Sequence, residues 1–213
     1  MSAIIFDLDG TLADTVPVIL ETSRLVCQEL HIPWDKAYIT SLIGLPLIQT
    51  GEKVLGEGFG QLYYDTYQKY FFGSCYKMMK LFPGVKNLLQ KLHKQGYQLA
   101  IVTSKTIKGA NSTIDLLEIK DFFSVVVTAT DNCGHKPAPG PAFFALNRLK
   151  TDKNDAIFVG DSAFDINCAK EAGIKSCGVT WGAYSSSSLL AAGADYLAHD
   201  INQLEVILTE SIR

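Results

Sequence analysis

The chain has 213 residues, of which 47% are hydrophobic and 19% are charged, and it carries a formal net charge of −3 with a pI near 5.8. This composition predicts a compact globular protein with room for one α/β domain and a small insertion. It gives no electrostatic basis for a nucleic-acid partner, and no apolar run approaches the roughly 20 residues that a membrane-spanning helix needs.

The first predicted strand lies near the N-terminus, in the apolar residues 4–6. Asp7 and Asp9 follow this strand, with Gly10 and Thr11 directly after them. In open α/β sheets, ligands bind beyond the carboxyl ends of the strands. Two carboxylates at such a place are costly unless a metal ion or a cationic ligand balances them. This segment is therefore the first candidate for a functional site.

The segment 14–82 contains no run that is typical of a buried parallel strand. It begins with the apolar spacing of an amphipathic helix, and Pro17 stands where a first helical turn tolerates proline. Further along, Tyr63, Tyr67 and then Tyr70 or Phe71 recur at helical spacing, which favours core packing over substrate recognition. We therefore predict a helical insertion in this part of the chain.

After a turn signal at Phe82-Pro83-Gly84, predicted strands and helices alternate. The predicted strands are 98–103, 124–128, 156–160 and 175–180, and the predicted helices are one beginning at Val85, then 107–118, 140–150 and 163–172. This alternation indicates an α/β fold, a Rossmann-like parallel sheet with helices on both faces, to which the insertion adds a small α-helical cap domain. We assign residues 1–14 and 83–213 to the core domain and 15–82 to the cap domain.

Polar residues follow three of the later strands. Thr103 comes directly after one strand, Lys136 lies in the loop after the next, and Asp161 and Asp165 follow the third. Because the carboxyl ends of parallel strands meet at one edge of the sheet, we expect these residues beside the first acidic pair. Such a set of carboxylates indicates Mg²⁺, which binds carboxylates, water and phosphate oxygens.

These motifs, in this order and rough spacing, resemble those of the haloacid dehalogenase-like hydrolases over nearly the whole chain. The first motif of that family matches Asp7 and Asp9, the second Thr103, the third Lys136, and the fourth Asp161 with Asp165. The resemblance is closest to the phosphoglycolate phosphatase-like branch. It implies a phosphatase that hydrolyses a small phosphate monoester with Mg²⁺ through an aspartyl-phosphate intermediate.

Phosphoryl transfer needs an in-line nucleophile and positive charge around the equatorial oxygens. Asp7 is the predicted nucleophile, expected to be ionised at pH 7, and Asp9 is the predicted acid for the leaving oxygen and later the base for water. Thr103 would donate a hydroxyl to the phosphoryl group, and Lys136 would supply fixed positive charge. Mg²⁺ is expected on the Asp7 carboxylate, the Asp9 backbone carbonyl and Asp161.

Further residues are expected to support this site. Asp165 either supports the metal or pairs with the motif lysine, and Gly10 lets the chain turn away from the first strand, with Thr11 in the same turn. The family resemblance implies that backbone N–H groups near Leu8 and Ser104 complete the phosphate cradle.

The turn Gly44-Leu45-Pro46-Leu47 in the insertion is the candidate contact for the rest of the substrate. It has no basic residue, whereas β-phosphoglucomutase-like relatives carry an arginine there for a second phosphate. Lys53 lies too far along the chain for the imine-forming lysine of phosphonoacetaldehyde hydrolase-like relatives. An uncharged turn favours a small or modestly polar leaving group.

Other functions stay open at this point. An inorganic pyrophosphatase or a sugar-phosphate phosphatase of the same family fits the motifs equally, whereas dehalogenases lack an acid at the position of Asp9. A non-catalytic phosphate-binding or regulatory protein on this fold is the alternative outside enzymes. Receiver domains combine similar residues, but their phosphorylated aspartate follows a later strand.

Simple structural roles compete with some of these assignments. Thr103 could cap the next helix, and we interpret Lys105 and Lys108 as solvated surface residues. The five cysteines form no Cys-x-x-Cys pair. Because the first predicted strand begins close to the N-terminus, we expect no signal peptide. We therefore expect reduced thiols and a cytoplasmic protein whose partner is a small phosphorylated metabolite, with neither nucleic acid nor membrane bound.

Overall fold

The computed structural model describes residues 2–211. The outermost residues of the predicted core domain, Met1, Ile212 and Arg213, lie outside the described residues. The strands in this range are β1 (Ala3–Phe6), β2 (Ala13–Asp14), β3 (Lys80–Leu81), β4 (Gln98–Val102), β5 (Val125–Val127), β6 (Ala156–Gly160), β7 (Lys175–Val179) and β8 (Tyr196–Ala198).

Helices occupy most of the remaining described chain. The α-helices are α1 (Val16–Glu29), α2 (Lys36–Ser41), α3 (Leu47–Leu55), α4 (Gly60–Tyr70), α5 (Val85–Lys94), α6 (Ile107–Leu116), α7 (Gly140–Leu149), α8 (Ala163–Ala172), α9 (Ser186–Ala192) and α10 (Ile201–Ser211). A π-helical turn, Phe71–Cys75, continues α4.

Six parallel strands form the main sheet in the order β5-β4-β1-β6-β7-β8. The central strand β1 pairs with β4 on one side and β6 on the other, so that Phe6 stands opposite both Ile101 and Val159. The strand order reverses between β1 and β6, which is where doubly wound sheets bind their ligands. The predicted α/β class is confirmed.

The two faces of this sheet carry separate apolar cores because side chains alternate along each strand. Ile4 and Phe6 pack on one face with α5 residues such as Leu88, and Ile5 packs on the other face with Phe158. Every residue of β1 is buried. This strand therefore lies at the centre of the sheet, and the residues that follow it lie at the middle of the carboxyl edge of the sheet.

Helices α1 to α4 form the insertion and pack around a third core. Tyr63, Tyr67 and Phe71 are buried there, and their rings stack at centroid distances of 6.3 Å and 5.8 Å. The predicted core packing of these aromatic residues is confirmed. The short strands β2 and β3 pair antiparallel, so the two chain connections between the insertion and the main sheet run side by side.

Several elements differ from the sequence predictions. The pair β2–β3, the edge strand β8 and the last helix α10 were not predicted. The predicted strands 98–103, 124–128 and 175–180 are each shorter in the structure by one or two residues, whereas 156–160 has the predicted bounds. The differences lie at element ends and in strands of two or three residues, where no periodic pattern can develop.

All five cysteines are free thiols, and four of them are buried. Within residues 2–211, no helix combines the length and the apolar character that crossing a bilayer requires.

Candidate active site

The candidate site lies at the carboxyl edge of the sheet, where its central strands end. Asp7 follows β1, Thr103 follows β4 and Asp161 follows β6, and all three are buried. The N–H of Asp7 donates to the Val159 carbonyl at 2.9 Å, and that of Thr103 donates to the Val127 carbonyl at 2.9 Å. These backbone bonds extend the strand ladders by one residue and hold the functional side chains at fixed positions.

Lys136 is the buried cation of the site and is only 3% exposed. Its Nζ donates to Asp7 Oδ1 at 2.8 Å, to Asp165 Oδ1 at 2.6 Å and to the Val102 carbonyl at 3.2 Å. Burial lowers the pKa of this ammonium, but the two carboxylates outweigh burial and raise the pKa above its ordinary value. Lys136 is therefore charged at neutral pH.

Asp165 holds this lysine in place. Its Oδ1 accepts from Lys136, while its Oδ2 accepts from the backbone N–H and the hydroxyl of Ser162 at 3.0 Å and 2.6 Å. Ser162 in turn caps α8 through the N–H of Asp165 at 3.3 Å, which forms a capping box. Of the two predicted roles of Asp165, these contacts support pairing with the lysine.

Asp161 is held by the turn after β1 and by the loop after β7. The Thr11 hydroxyl donates to its Oδ1 at 3.3 Å, and the Ala183 N–H donates to its Oδ2 at 2.7 Å. Gly10 has a φ of +79°, and a Cβ at this position would overlap the Asp161 carboxylate. The structure thus gives both predicted supporting residues of this turn a defined contact with Asp161.

Negative charge exceeds positive charge in this cluster. Carboxylate oxygens of Asp7, Asp161 and Asp165 lie within 4.8 Å of one another. Burial raises the pKa of Asp7 well above its usual value in spite of Lys136, and burial with the neighbouring Asp165 raises the pKa of Asp161 to about 7. A further positive charge in this cluster would favour the ionised Asp7 that the sequence predicts.

Asp9 faces Lys105, and the prediction that Lys105 is a solvated surface residue is wrong. Nζ of Lys105 lies 3.1 Å from Asp9 Oδ1, and each side chain is only 14% exposed. No described donor makes a hydrogen bond of good geometry to that buried oxygen, so the contact is an ion pair. The position of Lys105 two residues after Thr103, at a strand end, was the signal available in the sequence. Lys108 is exposed, as predicted.

A cavity of about 100 Å³ extends from these carboxylates to the helical insertion. Gly44, Leu45 and Leu47 of the predicted cap turn line it, whereas Pro46 is buried and is not among the lining residues. The Ser104 hydroxyl donates to the Gly44 carbonyl at 2.5 Å. The structure therefore brings the cap turn directly against the strand end that carries Thr103.

Comparison with known proteins identifies the family. A family model described as haloacid dehalogenase-like hydrolase matches residues 4–179. The chain belongs to this family. The pyrophosphatase PpaX of Bacillus velezensis is 34% identical over 206 residues, which are 96% of this chain and 94% of the relative. A phosphoglycolate phosphatase of Cupriavidus necator is 30% identical over 98% of this chain and 93% of its own length.

Solved structures share the fold along the whole chain. A haloacid dehalogenase-like family hydrolase from Streptococcus pneumoniae has 30% identity and a TM-score of 0.86, with 98% of both chains covered. A protein described as a predicted phosphoglycolate phosphatase from Haemophilus somnus has 25% identity and a TM-score of 0.86, with 97% of both chains covered. The predictions of family, fold and enzyme class, a hydrolase of the phosphatase type, are confirmed.

Proposed function

We propose that this hydrolase releases phosphate from a small phosphorylated metabolite, with Mg²⁺ as cofactor and with a covalent intermediate on Asp7. The observation that carries the proposal is the buried cluster of Asp7, Lys136 and Asp161 at the point where the strand order reverses. A carboxylate nucleophile, a fixed ammonium and two oxygen ligands for a metal are the parts that phosphoryl transfer needs.

The donor set fits Mg²⁺. Four carboxylates face two lysines in the site, so negative charge stays in excess even when Asp9 carries the proton that it donates to the leaving oxygen. We assign Mg²⁺ to the Asp7 carboxylate, the Asp9 backbone carbonyl and Asp161, because both oxygens of Asp165 already accept hydrogen bonds from Lys136 and Ser162. When bound, the cation supplies charge that favours an ionised Asp7 and stabilises the phosphoryl oxygens.

The reaction proceeds in two steps on the residues of this chain. A carboxylate oxygen of Asp7 attacks phosphorus, an Asp7–phosphate bond forms, and the bond to the leaving oxygen breaks as Asp9 donates a proton to that oxygen. Asp9 then takes a proton from a water molecule, the water oxygen attacks phosphorus, and phosphate leaves as Asp7 is regenerated.

Positive groups around the phosphorus stabilise both steps. Lys136 is held against Asp7 and therefore stands beside the oxygens of a phosphoryl group on that carboxylate. Thr103 adds a hydroxyl from the neighbouring strand end. The backbone N–H groups of Leu8 and Ser104 complete the cradle in this proposal.

The helical insertion is proposed to act as a cap over this chemistry. We take residues 15–82 as the cap domain and residues 1–14 and 83–213 as the core domain. The paired connections of β2 and β3 would serve as the hinge, and the bond from Ser104 to Gly44 holds the cap turn against the core. A closed cap excludes water from the reacting groups and contacts the leaving group.

We place the protein in the cytoplasm, in keeping with its reduced thiols.

Phosphate release tests the proposed function. Phosphoglycolate is the first candidate substrate, with pyrophosphate and sugar phosphates as alternatives from the same family. We expect the protein to release phosphate from p-nitrophenyl phosphate and from at least one of these compounds in Mg²⁺, and to lose this activity in EDTA. A non-catalytic phosphate-binding protein would release none from any of them, and that result would contradict the proposal.

Asp161→Ala is expected to raise the Mg²⁺ concentration for half-maximal activity about tenfold or more, since it removes a carboxylate ligand. Titration of p-nitrophenyl phosphate turnover with Mg²⁺ measures this shift. Asp121→Ala, which changes an exposed acid before β5, serves as the matched control and should leave the titration unchanged. An unshifted titration in Asp161→Ala would show that Asp161 is not a ligand of the metal.

A further inference from the structure

We infer that Lys105 determines specificity, because its ammonium is placed to bind a second anionic group, a carboxylate or a phosphate, attached close to the leaving oxygen of the substrate. The inference rests on the proposed function and concerns the leaving group, whereas the motif residues hold the phosphoryl group that is transferred.

The Lys105 ammonium lies beside Asp9. In the proposed reaction Asp9 contacts the leaving oxygen, and Nζ of Lys105 lies 3.1 Å from Asp9 Oδ1. An atom one or two bonds beyond the leaving oxygen is therefore within reach of Lys105. An ammonium has three N–H donors, so it can contact an anionic ligand while it keeps its ion pair with Asp9.

Lys105 is held in place before any ligand arrives. Its backbone N–H donates to the Thr103 hydroxyl at 3.2 Å, and its carbonyl accepts from the Ala129 N–H at 2.8 Å. The ammonium lies 5.1 Å from the centroid of the Phe71 ring, which comes from the insertion. A positioned and largely desolvated cation binds an anion more strongly than a mobile surface lysine does.

The part of the cavity wall that the insertion forms offers no cation to an anionic ligand. The side chains of the insertion that line it are mostly apolar, such as Ile19, Ile39 and Leu42. Among the described lining residues, Lys105 alone carries a positive charge. A second carboxylate or phosphate placed against the apolar wall would be desolvated without a partner, which is costly. The uncharged cap turn thus forms one part of the cavity wall, and Lys105, which follows β4, supplies the cation.

Paired substrates test the inference. Phosphoglycolate carries a carboxylate near its leaving oxygen, and 2-hydroxyethyl phosphate has a hydroxyl at the same place. In Lys105→Met we expect kcat/KM in Mg²⁺ to fall about 10- to 100-fold for phosphoglycolate, as for loss of a hydrogen bond to a charged group. Because Lys105 also contacts Asp9, kcat/KM for 2-hydroxyethyl phosphate should fall as well but by less, so that the preference for phosphoglycolate drops about tenfold. Pyrophosphate should follow phosphoglycolate.

Two further variants make the comparison specific. Lys105→Arg keeps the charge and should retain most of the preference for phosphoglycolate. Lys108→Met removes a neighbouring exposed lysine, whose Nζ lies 4.9 Å from the Phe72 ring centroid, and should change kcat/KM for neither substrate.

Equal losses of kcat/KM for both substrates in Lys105→Met would show that this lysine acts through Asp9. Unchanged kcat/KM for both would show that Lys105 does not contact the substrate. Either result overturns the inference.

A binding measurement separates this inference from the proposed function. Calorimetry in Mg²⁺ compares 3-phosphonopropionate, which has a carboxylate and no cleavable ester, with 3-hydroxypropylphosphonate. Lys105→Met should weaken binding of the first about tenfold or more relative to the second. An unchanged ratio overturns the inference even if the enzyme is active. If the protein releases phosphate from none of the esters, the proposed function is contradicted. The ratio of the two phosphonate affinities still decides whether Lys105 binds a second anionic group.

Discussion

Asp7→Asn is expected to lower kcat by about four orders of magnitude or more, the scale on which loss of a catalytic nucleophile is measured. The carboxamide of asparagine lacks the carboxylate that attacks phosphorus, and it cannot form the acyl phosphate. Turnover of p-nitrophenyl phosphate and of phosphoglycolate in saturating Mg²⁺ measures the effect. Asp121→Asn, on the exposed surface, is the matched control and should retain activity.

The same change should leave the fold intact. Burial raises the pKa of Asp7 and the neighbouring carboxylates raise it further, so a neutral side chain of equal size removes a desolvated charge and its repulsion from this cluster. Lys136 keeps its bonds to Asp165 and to the Val102 carbonyl. We therefore expect a melting temperature in EDTA that is no lower than that of the unchanged protein. Turnover close to normal in a folded Asp7→Asn protein would contradict the covalent mechanism.

Lys136→Met is expected to reduce the free energy of unfolding by about 3–5 kcal/mol at neutral pH and to abolish turnover. The substitution keeps most of the length of the side chain but leaves Asp7 and Asp165 buried without their cation. Urea unfolding followed by circular dichroism measures the loss. Lys120→Met is the matched control, because Lys120 pairs with Asp115 on the exposed surface at 3.6 Å and should change stability by at most about 0.5 kcal/mol.

A second variant separates lost charge from lost packing. In Lys136→Met with Asp165→Asn, one of the two unpaired carboxylates is gone, and we expect part of the stability to return without any return of activity. The single variant should also lose less stability at acidic pH, because protonation of Asp7 removes its charge once the pH falls below a pKa that burial already raises. A single variant as stable as the unchanged protein at neutral pH would contradict the electrostatic account of Lys136.

The central part of the site could be predicted because it depends on strand ends. Asp7, Thr103 and Asp161 each follow a clear apolar run, and parallel pairing brings the ends of such runs together whatever the loops do. The sequence spacing also predicted the helical insertion and the aromatic stripe of Tyr63 and Tyr67, since a regular period survives into the packed structure.

The remaining contacts depend on segments that meet only in three dimensions. Asp161 accepts from the N–H of Ala183, a backbone group whose position no residue type encodes. Lys105 is buried by Asp9 of the first strand end and by Phe71 of the insertion, so its own neighbours in sequence gave little sign of its environment. The pair β2–β3 has two residues in each strand, too few for a periodic signal.

The Asp9→Asn variant with p-nitrophenyl phosphate provides the most direct test of the covalent mechanism. Nitrophenolate leaves without an acid, whereas hydrolysis of the intermediate needs Asp9 as a base, so the phosphorylated protein should accumulate. We predict a rapid release of one nitrophenolate per chain, slow release afterwards, and mass spectrometry that finds one phosphoryl group on Asp7. Steady release from an unmodified protein, or a phosphoryl group on any other residue, would contradict the account.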